Sequence, residues 1–351
     1  MTLLLTVDGE RWRGHLRELA EATPGLVPVA KGNGYGFGLH RLARKTGWLA
    51  DQGLGGDTLA VGTYAELPEV SSRFAGDLLV LTPWRPFHDL PDGGLASRLI
   101  HTVSRPEDLD GLLAAQPGAR FVLELETSMR RHGMTARQLW QLARRLPGRQ
   151  LEGVALHLPL ASGNHLPEVE RLLTDIVGAD LPSATVWVSH LNQAELATLR
   201  SSYADLTVRP RVGTDLWLGE REALRVTATV LDVHELRRGD HYGYRGRTTP
   251  REGHLLVVSG GTSHGIGLES PPGPADLRTR AKVVARGGLD ALGLTRAPYW
   301  LDGTQLRFAE PPHMQASLLF LPGDATAPEV GDQLDVRVRY TATTFDRVAV
   351  S

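Results

Sequence analysis

Along the first two thirds of the chain, short apolar runs alternate with longer amphipathic stretches. The runs fall at 26–31, 58–63, 77–82, 98–103, 120–126, 151–157, 185–190 and 206–213, and each reads as a strand buried on both faces. Between them, stretches such as 39–50, 135–146 and 166–177 repeat apolar residues every three or four positions, as helices packed on one face do. Eight strands alternating with helices predict an α/β fold, a parallel (β/α)8 barrel. A doubly wound open sheet is the alternative, and no dinucleotide glycine fingerprint follows the first strand to favour it. After Gly219 the pattern changes. Runs at 225–231, 255–259, 315–321 and 334–341 are separated by turns rich in Gly and Pro, among them Ser270-Pro271-Pro272-Gly273-Pro274. That predicts a C-terminal all-β domain. Residues 2–7 also read as a strand, placed to pair with this second domain. The expected division is a barrel over 8–222 and a β-domain over 223–351 that includes strand 1–7.

Composition narrows the function. The 351 residues are 41% hydrophobic and 22% charged, with a net charge of -2. This is an ordinary globular balance with no electrostatic case for nucleic acid or an anionic membrane. The absence of cysteine excludes disulfides and thiolate metal sites. The N-terminus lacks the basic start and long apolar core of a signal peptide, and no apolar run approaches a membrane span. The expectation is a cytoplasmic enzyme with a small-molecule substrate.

The densest chemical signal is Val27-Pro28-Val29-Ala30-Lys31-Gly32-Asn33-Gly34-Tyr35-Gly36-Phe37-Gly38. An apolar strand ends on a lysine, and glycine then occupies every second position. Desolvation lowers a lysine pKa and frees its amine to attack carbonyls. The glycines allow close backbone approach to a ligand, and Tyr35 offers a hydroxyl to a phosphate. Other polar residues stand at the carboxyl ends of predicted strands, where barrel sites form: His157, His190, Arg211 and, shortly after its strand, Arg131. Singly, each is equally an ordinary structural or solvated side chain. Their joint placement points to a site.

This string resembles the lysine motif of alanine racemases, V-V-K-A-N-A-Y-G-H-G, with Lys31, Asn33, Tyr35, Gly36 and Gly38 in register. The resemblance implies that Lys31 binds pyridoxal phosphate (PLP) covalently and that Tyr35 holds its phosphate. Thr127-Ser128-Met129-Arg130-Arg131-His132-Gly133 is similar to T-G-M-x-R-x-G, implying that Arg131 meets the cofactor and the substrate carboxylate. By the same resemblance His157 stacks on the pyridine ring and Arg211 faces its nitrogen. Asn192 and Gln193 correspond to an N-S pair near the phosphate, which Gly213 and Thr214 bind through their backbones. In the second domain, Gly239-Asp240-His241-Tyr242-Gly243-Tyr244 is similar to G-E-x-V-x-Y, implying that Tyr244 is a second acid/base contributed across a homodimer. Met314 resembles the methionine whose backbone meets the substrate. The implied activity is a two-base Lys31/Tyr244 racemisation of alanine or a somewhat larger amino acid, supplying D-amino acids as peptidoglycan precursors.

The match departs at several positions. The family's modified lysine falls at Glu124, which brings its own carboxylate to orient Arg131. Gln193 replaces a serine, Thr262 a tyrosine, His264 an aspartate, and Phe345 keeps the ring of a phosphate-binding tyrosine without its hydroxyl. These changes leave two further readings open. One is a related PLP enzyme with another reaction, a decarboxylase or a D-amino-acid aldolase or dehydratase. The other is a PLP-binding homologue without turnover.

Overall fold

The computed structural model describes residues 2–91, 93–160, 163–268 and 295–351. The predicted turn at 270–274 lies outside the described residues. In chain order the strands are β1 (Leu3–Val7), β2 (Val27–Ala30), β3 (Thr58–Val61), β4 (Asp77–Val80), β5 (Leu99–Val103), β6 (Arg120–Leu125), β7 (Gln150–His157), β8 (Thr185–Ser189), β9 (Thr207–Val212), β10 (Leu224–Leu236), β11 (His241–Tyr242), β12 (Arg247–Thr248), β13 (Gly253–Ser259), β14 (Arg296–Leu301), β15 (Thr304–Phe308), β16 (Ala316–Pro322), β17 (Gln333–Val336) and β18 (Arg347–Val350). The α-helices are α1 (Gly9–Ala22), α2 (Leu39–Asp51), α3 (Leu67–Ser71), α4 (Pro106–Ala115), α5 (Ala136–Ala143), α6 (Leu166–Gly178), α7 (Gln193–Ser202) and α8 (Thr214–Leu218). The chain divides into two compact units, residues 13–219 and residues 1–12 with 220–351.

In the first unit, β2 to β9 close into a parallel barrel in sequence order, so the open-sheet alternative does not hold. The eight predicted runs are its eight strands. Its interior is layered. Val27, Val29, Ala60, Leu79, Ile100, Val122, Ala155 and Trp187 form one buried apolar cluster. Two residues toward the amino end, Arg120 plugs the barrel floor through Asp77 at 2.7 Å and Glu152 at 2.7 Å. Arg209 lies over the Trp187 ring at 4.5 Å and also pairs with Asp57. Because strand side chains alternate with a period of two, the layer two residues toward the carboxyl end is fixed by register. It holds Lys31, Glu124, His157, Ser189 and Arg211. Polar groups there rest on an apolar floor, the arrangement in which barrel enzymes place their chemistry.

The second unit is a mainly antiparallel sheet in the order β13-β16-β15-β14-β17-β10-β1-β18, its β1–β18 pair being parallel, with β13 also pairing β10, so that six strands close a ring. The long β10 makes this possible. Its first half pairs β1 and β17, an irregularity between Val230 and Asp232 turns it, and its second half pairs β13. Strand β1 pairs β10 and β18, as its N-terminal pattern predicts. The run expected at 334–341 is shorter: β17 stops at Val336, and the Arg337 N–H bonds Pro298 O at 2.9 Å.

Candidate functional site

Lys31 is the first residue beyond β2. Its side chain is open to solvent at the barrel mouth. Its pKa is nonetheless lowered, first by desolvation and then by the Arg131 and Arg211 charges, with Glu66 opposing. The amine reaches solvent on one side while protein atoms and two cations crowd its other sides. Glu66 shapes the neighbouring turn: it accepts from Gly32 N at 2.8 Å and Gly62 N at 2.6 Å.

The chain then turns through a run of left-handed residues: Gly32, Gly34, Tyr35, Gly36 and Gly38 have φ of 61°, 61°, 54°, 88° and 81°. Glycine takes such angles freely, whereas a tyrosine there costs roughly 1–3 kcal/mol. Strain of this kind is kept where a side chain must point one way. Tyr35 is buried, and a Cβ built on Gly213 would collide with its hydroxyl. The Gly213-Thr214 turn is fixed in its own right. Trp217 Nε1 donates to Val29 O at 2.7 Å, and His15 Nε2 bonds Asp215 O at 2.8 Å. The strand that delivers Lys31 and the turn that faces Tyr35 are therefore tied together.

Across the mouth, the His157 ring is held through Nδ1 by Ser189 Oγ at 2.8 Å, and Thr127 Oγ1 donates to its carbonyl at 2.6 Å. Burial, followed by Arg211 and Arg131, lowers its pKa to about 3, so it is a neutral ring at physiological pH. His190 meets it edge-on at 5.2 Å, with φ of 64°. Arg211 is buried and donates to Leu156 O at 2.9 Å, while its Nε has no partner among the described residues. Desolvation lowers its pKa to about 10, against the pull of Glu124. Glu124 is also buried, with Oε2 unpartnered among the described residues. Its pKa is raised by desolvation and pulled back by Arg211, Arg131 and Arg85. Arg131 is exposed in the loop after β6. Arg131 and Arg211 thus act on one buried carboxylate, Glu124, while Lys31 feels the same two cations and Glu66. The excess of cations suits an anionic ligand.

Asn192 and Gln193 have structural partners. Asn192 caps α7, its Oδ1 accepting from Glu195 N at 2.9 Å while Glu195 returns a bond to Asn192 N. Gln193 Nε2 donates to Thr23 Oγ1 at 2.7 Å. The Asn-x-x-Glu spacing is itself a capping-box signature.

The remaining predicted residues lie in the second unit. Tyr244 stands at the tip of the β11–β12 hairpin and is 87% exposed. It lines an open groove of about 800 Å³ with Thr262, His313, Met314 and Gln315. Met314 is exposed there and is no core residue. His264 is fully engaged: Nδ1 accepts from Gly261 N at 3.2 Å, so Nε2 carries the proton and donates to Asp346 Oδ1 at 3.1 Å. Asp346 would be raised by burial, but Leu3 N and His264 hold it below its usual value. That pair stitches the turn bearing Thr262 to the segment bearing Phe345. Glu310, to which the resemblance assigns no role, also borders this groove. Among the described residues no group of three or more His, Cys, Asp or Glu is placed to hold a metal, and no helix is long and apolar enough to cross a membrane.

Comparison with known proteins agrees with this architecture. The alanine racemase N-terminal domain family matches residues 7–210. No curated protein matches. Among solved structures, alanine racemase from Bartonella henselae with covalently bound pyridoxal phosphate is similar at a TM-score of 0.71 and 17% identity, covering 100% of both chains. Alanine racemase from the D-cycloserine producer Streptomyces lavendulae gives 0.69 and 18%, covering 100% of this chain and 97% of that one. The biosynthetic enzyme from Pseudomonas aeruginosa gives 0.65 and 20%, covering 97% and 91%. At these identities the likeness establishes the fold, a barrel and a β-domain in one chain. By its barrel sequence, the protein belongs to the alanine racemase family.

Proposed function

We propose that this protein is a PLP-dependent amino-acid racemase acting on alanine or a somewhat larger substrate. The observation that carries the reading is the convergence of Lys31, Tyr35, His157, Arg211 and Gly213 at the carboxyl end of one barrel. Two local features fit the cofactor. The orphaned Nε of buried Arg211 is a fixed donor awaiting an acceptor, as a pyridine nitrogen would be. The close fit of Gly213 under the Tyr35 hydroxyl leaves backbone and phenol side by side without a Cβ between them, which suits a phosphate.

In this reading Lys31 holds the cofactor covalently and Tyr35, Gly213 and Thr214 hold its phosphate, with Asn192 and Gln193 beside it and the Phe345 ring nearby. His157 packs on the ring, and Arg211 faces its nitrogen. PLP so bound supplies an electron sink that makes the substrate Cα–H acidic. The protein's own groups then move the proton. Racemisation removes it from one face of Cα and returns it to the other, so two bases on opposite faces are needed. The Lys31 Nζ, with its lowered pKa, serves one face. The Tyr244 Oη serves the other, supplied by a second copy of the chain in a homodimer. Arg131, steadied by the buried Glu124 carboxylate, and the backbone at Met314 bind the substrate carboxylate. Arg211 remains protonated at neutral pH even at about 10, so it donates to the nitrogen and does not give up a proton. This moderates the sink and restrains competing transamination.

Thr262 is smaller than the tyrosine it replaces, and Phe345 lacks a hydroxyl, which supports a roomier, less polar entrance and a substrate larger than alanine. We place the enzyme in the cytoplasm, supplying D-amino acids for cell-wall precursors. The test is incubation of PLP-loaded protein with a panel of L-amino acids, followed by chiral chromatography. Accumulation of the matching D forms supports the reading. Release of carbon dioxide or an aldehyde without D product supports a different reaction on the same fold.

A further inference from the structure

A general acid/base must be held in place, because a displacement of about 1 Å costs on the order of 100-fold in rate. Tyr244 is poorly protected for such a role, being 87% exposed at a hairpin tip. Two residues from a distant segment compensate. Glu310 is 3% exposed. Its Oε1 accepts from the Tyr244 backbone N–H at 3.2 Å and from His313 Nε2 at 2.6 Å. The same carboxylate packs so closely under Gly243, at φ of 71°, that a Cβ there would strike it. The His313 ring lies 4.5 Å from the Tyr244 ring at an interplanar angle of 43°. His313 is itself anchored: its N–H donates to Ala316 O at 2.9 Å and its carbonyl accepts from Thr262 N at 2.8 Å. Between Glu310 and His313 stand Pro311 and Pro312, whose fixed φ stiffens the link. One buried carboxylate therefore ties down both the backbone of Tyr244 and the ring against which its side chain leans.

We propose that Glu310 and His313 are the positioning residues for Tyr244, His313 through ring contact and Glu310 through the hairpin backbone and the imidazole together. The proposal deepens the racemase reading and rests on it for the role of Tyr244. It also gives a job to a position beside Met314 that the motif resemblance left unassigned.

The test reads Tyr244 directly in cofactor-free protein. The chain has 7 tyrosines, so 3-fluorotyrosine labelling gives a tractable fluorine NMR spectrum in which Tyr244→Phe identifies the relevant line. His313→Ala should move that line toward the position of a free, exposed tyrosine and narrow it. His313→Phe, which keeps a ring without the tether to Glu310, should restore only part of the displacement, the remainder reporting the tether. In PLP-loaded enzyme His313→Ala should lower kcat roughly 10- to 100-fold with KM changed less than about threefold, and His313→Phe should recover part of kcat. A Tyr244 line unmoved by His313→Ala overturns the proposal, as does kcat within about twofold of the parent enzyme. If the parent enzyme racemises nothing, the racemase reading falls, and the fluorine line alone decides whether His313 positions Tyr244.

Discussion

Gly213 lies so close under the Tyr35 hydroxyl that no side chain fits between them. A strained tyrosine and a glycine from opposite ends of the barrel sequence meet at one point, near the lysine that the racemase reading makes the cofactor anchor. If this contact is the phosphate seat, Gly213→Ala should push the Tyr35 hydroxyl away. The loss of one or more charge-assisted hydrogen bonds predicts PLP affinity reduced about tenfold or more. Equilibrium titration of cofactor-free protein, followed by visible absorbance, checks this. Unchanged affinity would place the phosphate elsewhere.

Asn192 separates a structural role from a binding one. Its side chain caps α7 in a reciprocal pair with Glu195. Asn192→Ala should therefore lower stability by about 1 kcal/mol, and Asn192→Asp, which keeps the cap, should restore most of it. Urea unfolding of the cofactor-free protein measures both. Stability unaffected by Asn192→Ala would mean the cap contributes nothing.

His157 makes a pH signature. Its folded-state pKa is near 3, against about 6.5 in an unfolded chain. Between those values the unfolded chain binds a proton that the folded protein refuses, so acid favours unfolding there. The stabilisation is complete above about pH 6.5 and is lost as pH falls toward 3. Relative to His157→Gln, the parent protein should lose roughly 1–2 kcal/mol between neutral pH and pH 4, after discounting for partial solvent screening. Parallel denaturant curves in a pH series check this. A constant gap between the two proteins would mean the histidine is not held neutral.

The barrel was readable because most of its strands centre on an apolar run buried on two faces and alternate with amphipathic helices, a pattern that needs no distant partner to be seen. The second unit was harder. Strands β14, β15 and β18 read as Arg-Ala-Pro-Tyr-Trp-Leu, Thr-Gln-Leu-Arg-Phe and Arg-Val-Ala-Val. They mix polar and apolar residues with no helix between them to mark their ends, and β18 is specified by pairing with β1 from the far end of the chain. Run 334–341 was read too long because alternation continues past Val336, where the backbone bond to Pro298 takes over.

The site divides in the same way. Lys31, His157 and Arg211 could be placed because strand ends mark a barrel mouth. The Glu310–His313 pair shows locally as Glu-x-x-His, but its meaning depends on Tyr244, 66 residues away. His264 looked like a lost aspartate. It is instead half of a pair with Asp346, 82 residues away, which no local pattern reveals.

Borohydride reduction of PLP-loaded protein, followed by peptide mass mapping, addresses the central claim most directly. The account predicts a phosphopyridoxyl group on the peptide containing Lys31 and none on that peptide in Lys31→Arg. A stable adduct on a different lysine, or full recovery of the unmodified Lys31 peptide after saturation with PLP, would contradict it.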